Sequence, residues 1–148
     1  MTWLAAAQRL EAVLGDLAEV DNVFSLPPLS SDEVRVGVSA MLLPPARTTL
    51  RQAGGSTVKM YTQQVTLMSL IADRPETAAA RVDAAVEAVD AAMESQVTLG
   101  GLVTVCGPFQ WQEGFAQEMP EDSGIWYAHM VGAAEIRRTI GYYRSAGL

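Results

Sequence analysis

Thiol and imidazole chemistry are almost absent from this chain. It holds one cysteine, Cys106, and one histidine, His129, in 148 residues. One cysteine cannot close an internal disulfide, and one cysteine with one histidine cannot build a Cys/His zinc site. No apolar run reaches the roughly 18 residues that a membrane-spanning helix needs. The opening stretch MTWLAAAQRLEAVLGDL is interrupted by Arg9, Glu11 and Asp16. It also lacks a basic start and a small-residue cleavage site, so it does not read as a signal peptide. The expectation is a soluble, cytosolic chain with no membrane partner. Positive charge is scarce too, with ten Lys and Arg against seventeen Asp and Glu and a formal net charge of -7. Without a basic stripe the chain is a poor wrapper of nucleic acid, since phosphate binding is driven by Lys and Arg releasing counterions. Like charge would let DNA pass without sticking.

Apolar residues make up 49% of the chain and charged residues 18%. That is enough for a core and too apolar for a disordered chain. The length fits one domain. Residues 2–18 read as a helix, because Trp3, Leu4, Ala7, Leu10, Val13, Leu14 and Leu17 recur at three- and four-residue steps. Thr2 is a plausible N-cap. NVFSLPP at 22–28 reads as a short strand stopped by a proline pair. DEVRVGVSAML at 32–42 alternates, Val34, Val36 and Val38 pointing one way, as in a half-buried strand. Residues 43–58 hold two prolines and two adjacent glycines with few apolar residues, and read as a long exposed loop, mobile over 44–57.

VKMYTQQVTLMSLIA at 58–72 is a long strand, polar first and then apolar on both faces, so one end enters the core and the other projects. Asp73 is placed to cap the next helix, with Pro75 in its first turn. Residues 76–96 form the clearest element. Val82, Val86, Val89 and Met93 make a narrow stripe, widened by Ala78, Ala85 and Ala92, and most of its acids lie opposite. Alanine favours helix and leaves little bulk, so this helix can lie close to a sheet. Gly100 supplies a stop. LVTVCGPF at 102–109 alternates again, 110–124 reads as a strand end and a second loop, and 125–144 is a final long strand. Its core face carries Met130, Ala134, Ile136, Ile140 and Tyr142. The order gives an α+β fold: one mainly antiparallel sheet with two helices on one face, in a single domain.

Chemistry-bearing clusters are hard to find. Cys106 sits in an apolar alternation, with no His, Lys or Arg close in sequence to lower its pKa, and reads as a small buried hydrophobe. Nucleophilic catalysis would need His129 as its spatial partner. The acids of 76–94 are spaced for a solvated helix face, without the acid pattern of a calcium loop. AGGSTV has neither the lysine-serine pair nor the following helix of a phosphate loop. The reading is therefore no enzyme, no catalytic or metal residues and no cofactor. The remaining candidates are contact residues. Arg47, Arg51 and Lys59 lie in or beside the long loop and suit an acidic partner, or are simply wet. Trp111, Phe115, Trp126 and Tyr127 gather around the second loop, either as interface anchors or as cross-strand pins.

The succession of an amphipathic N-terminal helix, VFSLPP, MYTQQVTLMSLIADRPETA, an Ala-rich helix, LGGLVTV and YAHMVGAAEIRRTIGYYR resembles a known group. It is similar to the tail terminator, or tail completion, proteins of long-tailed bacteriophages, most like those of actinobacterial phages. The likeness spans roughly 1–144 in layout and is loosest over 29–58. It implies an α+β virion protein, present in the host cytoplasm during assembly, that closes the tail tube as a homo-oligomeric ring, typically a hexamer. The ring ends polymerisation and joins the tail tube protein to a head-side connector or stopper. DNA would pass through its channel without sequence-specific binding. The polar half of 58–65, with Lys59, Tyr61 and Gln63, and its preceding loop become the candidates for reaching a neighbour, together with Trp111 and Phe115. The alternatives are another neck or tail component (head–tail adaptor, stopper or tube subunit) and a small-ligand-binding α+β domain.

Overall fold

The computed structural model describes residues 3–25, 36–43, 46–51, 57–117 and 124–140, with backbone alone at Trp3, Thr48, Leu50, Arg51, Gln117 and Ile140. Within them lie helix α1 (Trp3–Gly15) and strands β1 (Asn22–Phe24), β2 (Val38–Leu42), β3 (Ala46–Arg51) and β4 (Thr57–Leu70). Helix α2 (Pro75–Met93) and strands β5 (Val105–Cys106), β6 (Gln110–Gln117) and β7 (Trp126–Ile140) complete them. The expectations for Thr2, for 26–35 and for Tyr142 in the tail fall outside the described residues.

Two long strands form the rail of the sheet. β4 and β7 pair antiparallel over their shared length, from Thr57↔Ile140 to Leu70↔Tyr127. At about 3.3 Å per residue that ladder is about 45 Å long. Short strands line each side of the rail. β2 pairs with the apolar half of β4 and β3 with its polar half, both antiparallel. On the far side, β6 pairs with the first half of β7, and β5 with Arg137 and Ile136 near its end. β1 adds in parallel beyond β2, so the sheet is mainly antiparallel.

One face of the sheet is dry, and both helices pack on it. Val38, Ala40, Val65, Leu67, Ala134 and Ile136 share a core with Leu10 and Leu14 of α1 and Val82, Val86 and Val89 of α2. Burying each Val, Leu or Ile of this set stabilises the fold by about 1.5–3 kcal/mol, and each Ala by about 0.8 kcal/mol. The α2 stripe is the expected one, with Ala78 and Ala85 buried as well. The α1 stripe is turned from the expected one: Ala6 is buried, whereas Leu4 is 62% exposed.

Several boundaries differ from the sequence reading: α1 ends at Gly15, the strand read over 102–109 is only Val105–Cys106, and 110–117 is the full strand β6. The strand predicted over 32–42 begins at Val38, because Gly37 has φ +61 and breaks the alternation; Val36 is 63% exposed. Asp21 holds that corner, its Oδ2 accepting from the Val38 amide at 2.8 Å. The predicted mobile loop contains β3, a six-residue strand laddered to β4. The cap of α2 is Arg74, with no side-chain capping bond, rather than Asp73. Helix α2 also ends at Met93, before the glycine pair, in a turn made by Ser95 and Gln96 amides donating to Ala92 and Met93 carbonyls. The glycine pair serves the next bend instead. Leu99, Gly100 and Gly101 have φ of +48, +69 and +89 in succession.

Candidate interaction surfaces

The one candidate for nucleophilic chemistry does not assemble. Cys106 is buried on β5, opposite Ile136 of β7. His129 lies seven positions along β7 from Ile136, about 23 Å away and on the opposite face of the pleat. Burial pushes the Cys106 thiol up to about 11, so it is protonated and a poor nucleophile at neutral pH. Among the described residues no three His, Cys, Asp or Glu side chains gather closely enough to hold a metal ion. Nor is any described helix long and apolar enough to cross a membrane.

The polar end of the rail is a two-sided blade. On β3 and β4, Arg47 stands opposite Tyr61 and Thr49 opposite Lys59, while Arg138 of β7 stands opposite Lys59. Residues directly opposite share a face. Arg47, Lys59 and Arg138 therefore lie on the helix-bearing face of the sheet, beyond the core. Arg47 and Lys59 are exposed, and the Arg47 guanidinium sits 5.9 Å from the Tyr61 ring centre. On the other face Arg137 donates to Glu135.

Two of the expected contact residues are internal. Tyr61 is buried beneath Arg47, and Gln63 is wholly buried. Gln63 Nε2 donates to the Leu43 and Gln64 carbonyls, at 2.8 and 2.7 Å. This secures the point where the chain leaves β2 and rejoins β4 as β3. Gln63 is a clamp and not a contact surface. Arg51 belongs to β3 by its backbone.

The aromatic group divides in the same way. Trp111 is a pin: its Nε1 donates to Asp90 of α2 at 2.9 Å, and its ring lies 5.3 Å from that of Phe109. Tyr127 is buried. Phe115 and Trp126 are 59% and 43% exposed at the outer end of the β6–β7 ladder. Of the four, Phe115 and Trp126 have the exposure of interface anchors.

Sequence reasoning missed a groove of about 580 Å3 between α2 and β6. Val82, Ala128 and Met130 contribute its apolar lining, and Asp83, Glu113 and Phe115 its exposed rim. Trp111 and its bond to Asp90 fix the distance between the two walls. The signal was in QWQEGFAQ: Trp111, Glu113 and Phe115 alternate, so once 110–117 is a strand they share the helix-bearing face.

No protein-family model and no curated protein matches the chain.

Proposed function

We propose that this chain is a structural protein of a long-tailed phage particle. It closes the tail tube as a homo-oligomeric ring, hexameric in the simplest form, ends tube polymerisation, and presents a surface to the head-side connector. The observation that carries this reading is the blade, a β3–β4–β7 extension of the sheet that runs past the core and displays Arg47 and Lys59. Exposed charge on a paired ladder suits assembly. Among the described residues β6 is an edge strand, and with Phe115 exposed beside it this edge offers a second contact on the opposite side of the sheet. Different contacts on opposite sides are what a closed ring of head-to-tail copies uses. The acidic balance suits a channel through which DNA slides.

The direct test mixes the purified chain with its tail tube protein and measures tube length by electron microscopy. Tubes should stop growing and carry a ring at one end. Unchanged tube length sinks the reading. A tail tube subunit is the second reading, because an open strand edge equally serves an open stack. Mass photometry separates the two: a discrete species near six copies favours the terminator, and long tubes formed by the chain alone favour the subunit.

A further inference from the structure

The cationic blade and the acidic groove lie on the same face of one sheet and cannot reach each other. The blade centres on Lys59 and Arg138, paired across β4 and β7. The groove centres on Met130, paired with Glu113 of β6. Eight positions of β7 separate the two centres, about 26 Å along the strand. That exceeds the screening length of about 8 Å at physiological salt, so neither surface neutralises the other within a chain.

The surfaces are complementary in more than sign. The groove has an apolar floor, two exposed carboxylates and the Phe115 ring at its rim. The blade offers long side chains with apolar stems, and a guanidinium already held over the Tyr61 ring. Such stems cover apolar surface while their charged ends meet the rim. Both surfaces stand on regular elements, the blade on β3 and β4 and the groove on α2 and β6, so little ordering is needed to bring them together.

We propose that the blade of one copy, through Arg47 and Lys59, docks in the α2–β6 groove of a second copy, against Asp83, Glu113 and Phe115. This rests on the self-association reading above and names its contact. The contact is heterologous, since different surfaces meet, and it generates either a ring or an open helix. Closure adds a geometric condition. In a cyclic ring, surfaces that touch lie at the same height along the axis, so the line from groove to blade within each chain lies in the ring plane. That line runs mainly along β4 and β7, so the long strands lie closer to the ring plane than to its axis.

The test is a reciprocal charge swap followed by mass photometry. One variant reverses the groove (Asp83→Lys with Glu113→Lys), and the other reverses the blade (Arg47→Glu with Lys59→Glu). All four side chains are exposed, so both variants should keep the far-ultraviolet circular dichroism and cooperative unfolding of the parent. Each alone should need about ten- to a hundredfold more protein to assemble. An equimolar mixture should recover assembly, because each reversed groove now meets a reversed blade, in rings of alternating copies. If the reversed groove fails to fold, Asp83→Asn with Glu113→Gln should still weaken assembly by about three- to tenfold. Folded variants that assemble like the parent overturn the contact and leave the ring reading standing. So does a mixture of folded variants that recovers nothing. A parent chain that stays monomeric, alone and on its tail tube protein, overturns the ring reading and the contact with it.

Discussion

The indole of Trp111 lies against Gly132 so closely that a β-carbon on the glycine would sit 2.6 Å from the ring. The two residues are directly opposed on β6 and β7. Three positions along the same ladder the relation is repeated on the other face, where His129 covers Gly114 and a β-carbon would come 2.7 Å from Nε2. Glycine inside a strand usually weakens it, and here it makes room for a ring from the neighbouring strand. The Trp111 contact also carries the bond to Asp90, so one side chain joins β6, β7 and α2.

Gly132→Ala should therefore destabilise the fold by about 1–3 kcal/mol, through overpacking against a ring that is anchored on its far side. Trp111→Ala should cost about 2–4 kcal/mol, toward the lower part of the range for deleting a large aromatic, because the ring is only partly buried. Urea unfolding measures both. Combining them separates packing from strain, because the double variant should lose less than the sum of the singles once the ring is absent. Additive losses would mean that the two residues do not interact.

Gly101 has φ +89, and a β-carbon added there would meet nothing within 4 Å, so a substitution brings backbone strain without a steric clash. Gly101→Val should cost about 1–3 kcal/mol from that strain. Gly100→Val should also destabilise, since its φ is +69; a β-carbon there would make only ordinary contact with Arg9 Nε, at 3.7 Å. Arg9 donates to Gln96 in this bend, which ties α1 to the segment after α2. A Gly101→Val protein with an unchanged melting temperature would show that the bend tolerates a β-branched residue.

The α2 stripe and the core face of β7 were legible in the sequence, because periodicity depends on side chains that the element itself supplies. The edges were not. β3 carries turn residues on both flanks and little apolar content, and it is a strand only because the long β4 provides a ladder for it. Gln63 looked like a projecting polar residue, and it is buried because a neighbouring carbonyl, Leu43, is brought within reach of its amide. The groove was unreadable for a similar reason. Asp83 and Glu113 are far apart in sequence and converge only once α2 lies across β7.

The corrected assignment of β3 gives its own prediction. An antiparallel edge strand bonds alternate amides to its neighbour and points the others outward. Over 46–51, hydrogen exchange should therefore alternate between protected and fast sites, with protection on those facing β4. Uniformly fast exchange across the whole strand would return this segment to the loop that its composition indicates.

Cys106 offers a test that depends on pH. Its thiol is held up at about 11 in the folded chain by burial, against an ordinary value of 9.0. The folded state thus keeps its proton between about pH 9 and 11, where the unfolded state has lost it. The contribution to stability is complete below the unfolded value and is lost as pH rises through the folded one. The parent must be compared with Cys106→Ala, so that every other ionising group is common to both proteins and cancels. Their difference in unfolding free energy should be constant below about pH 8 and shrink above about pH 9, and alkylation of the native thiol at about pH 8 should be slow. Cys106→Ser should leave the proposed ring assembly unchanged, because the side chain faces the core and touches no proposed contact. Rapid alkylation of the folded chain, or a serine variant that folds and no longer assembles, would place Cys106 in function after all.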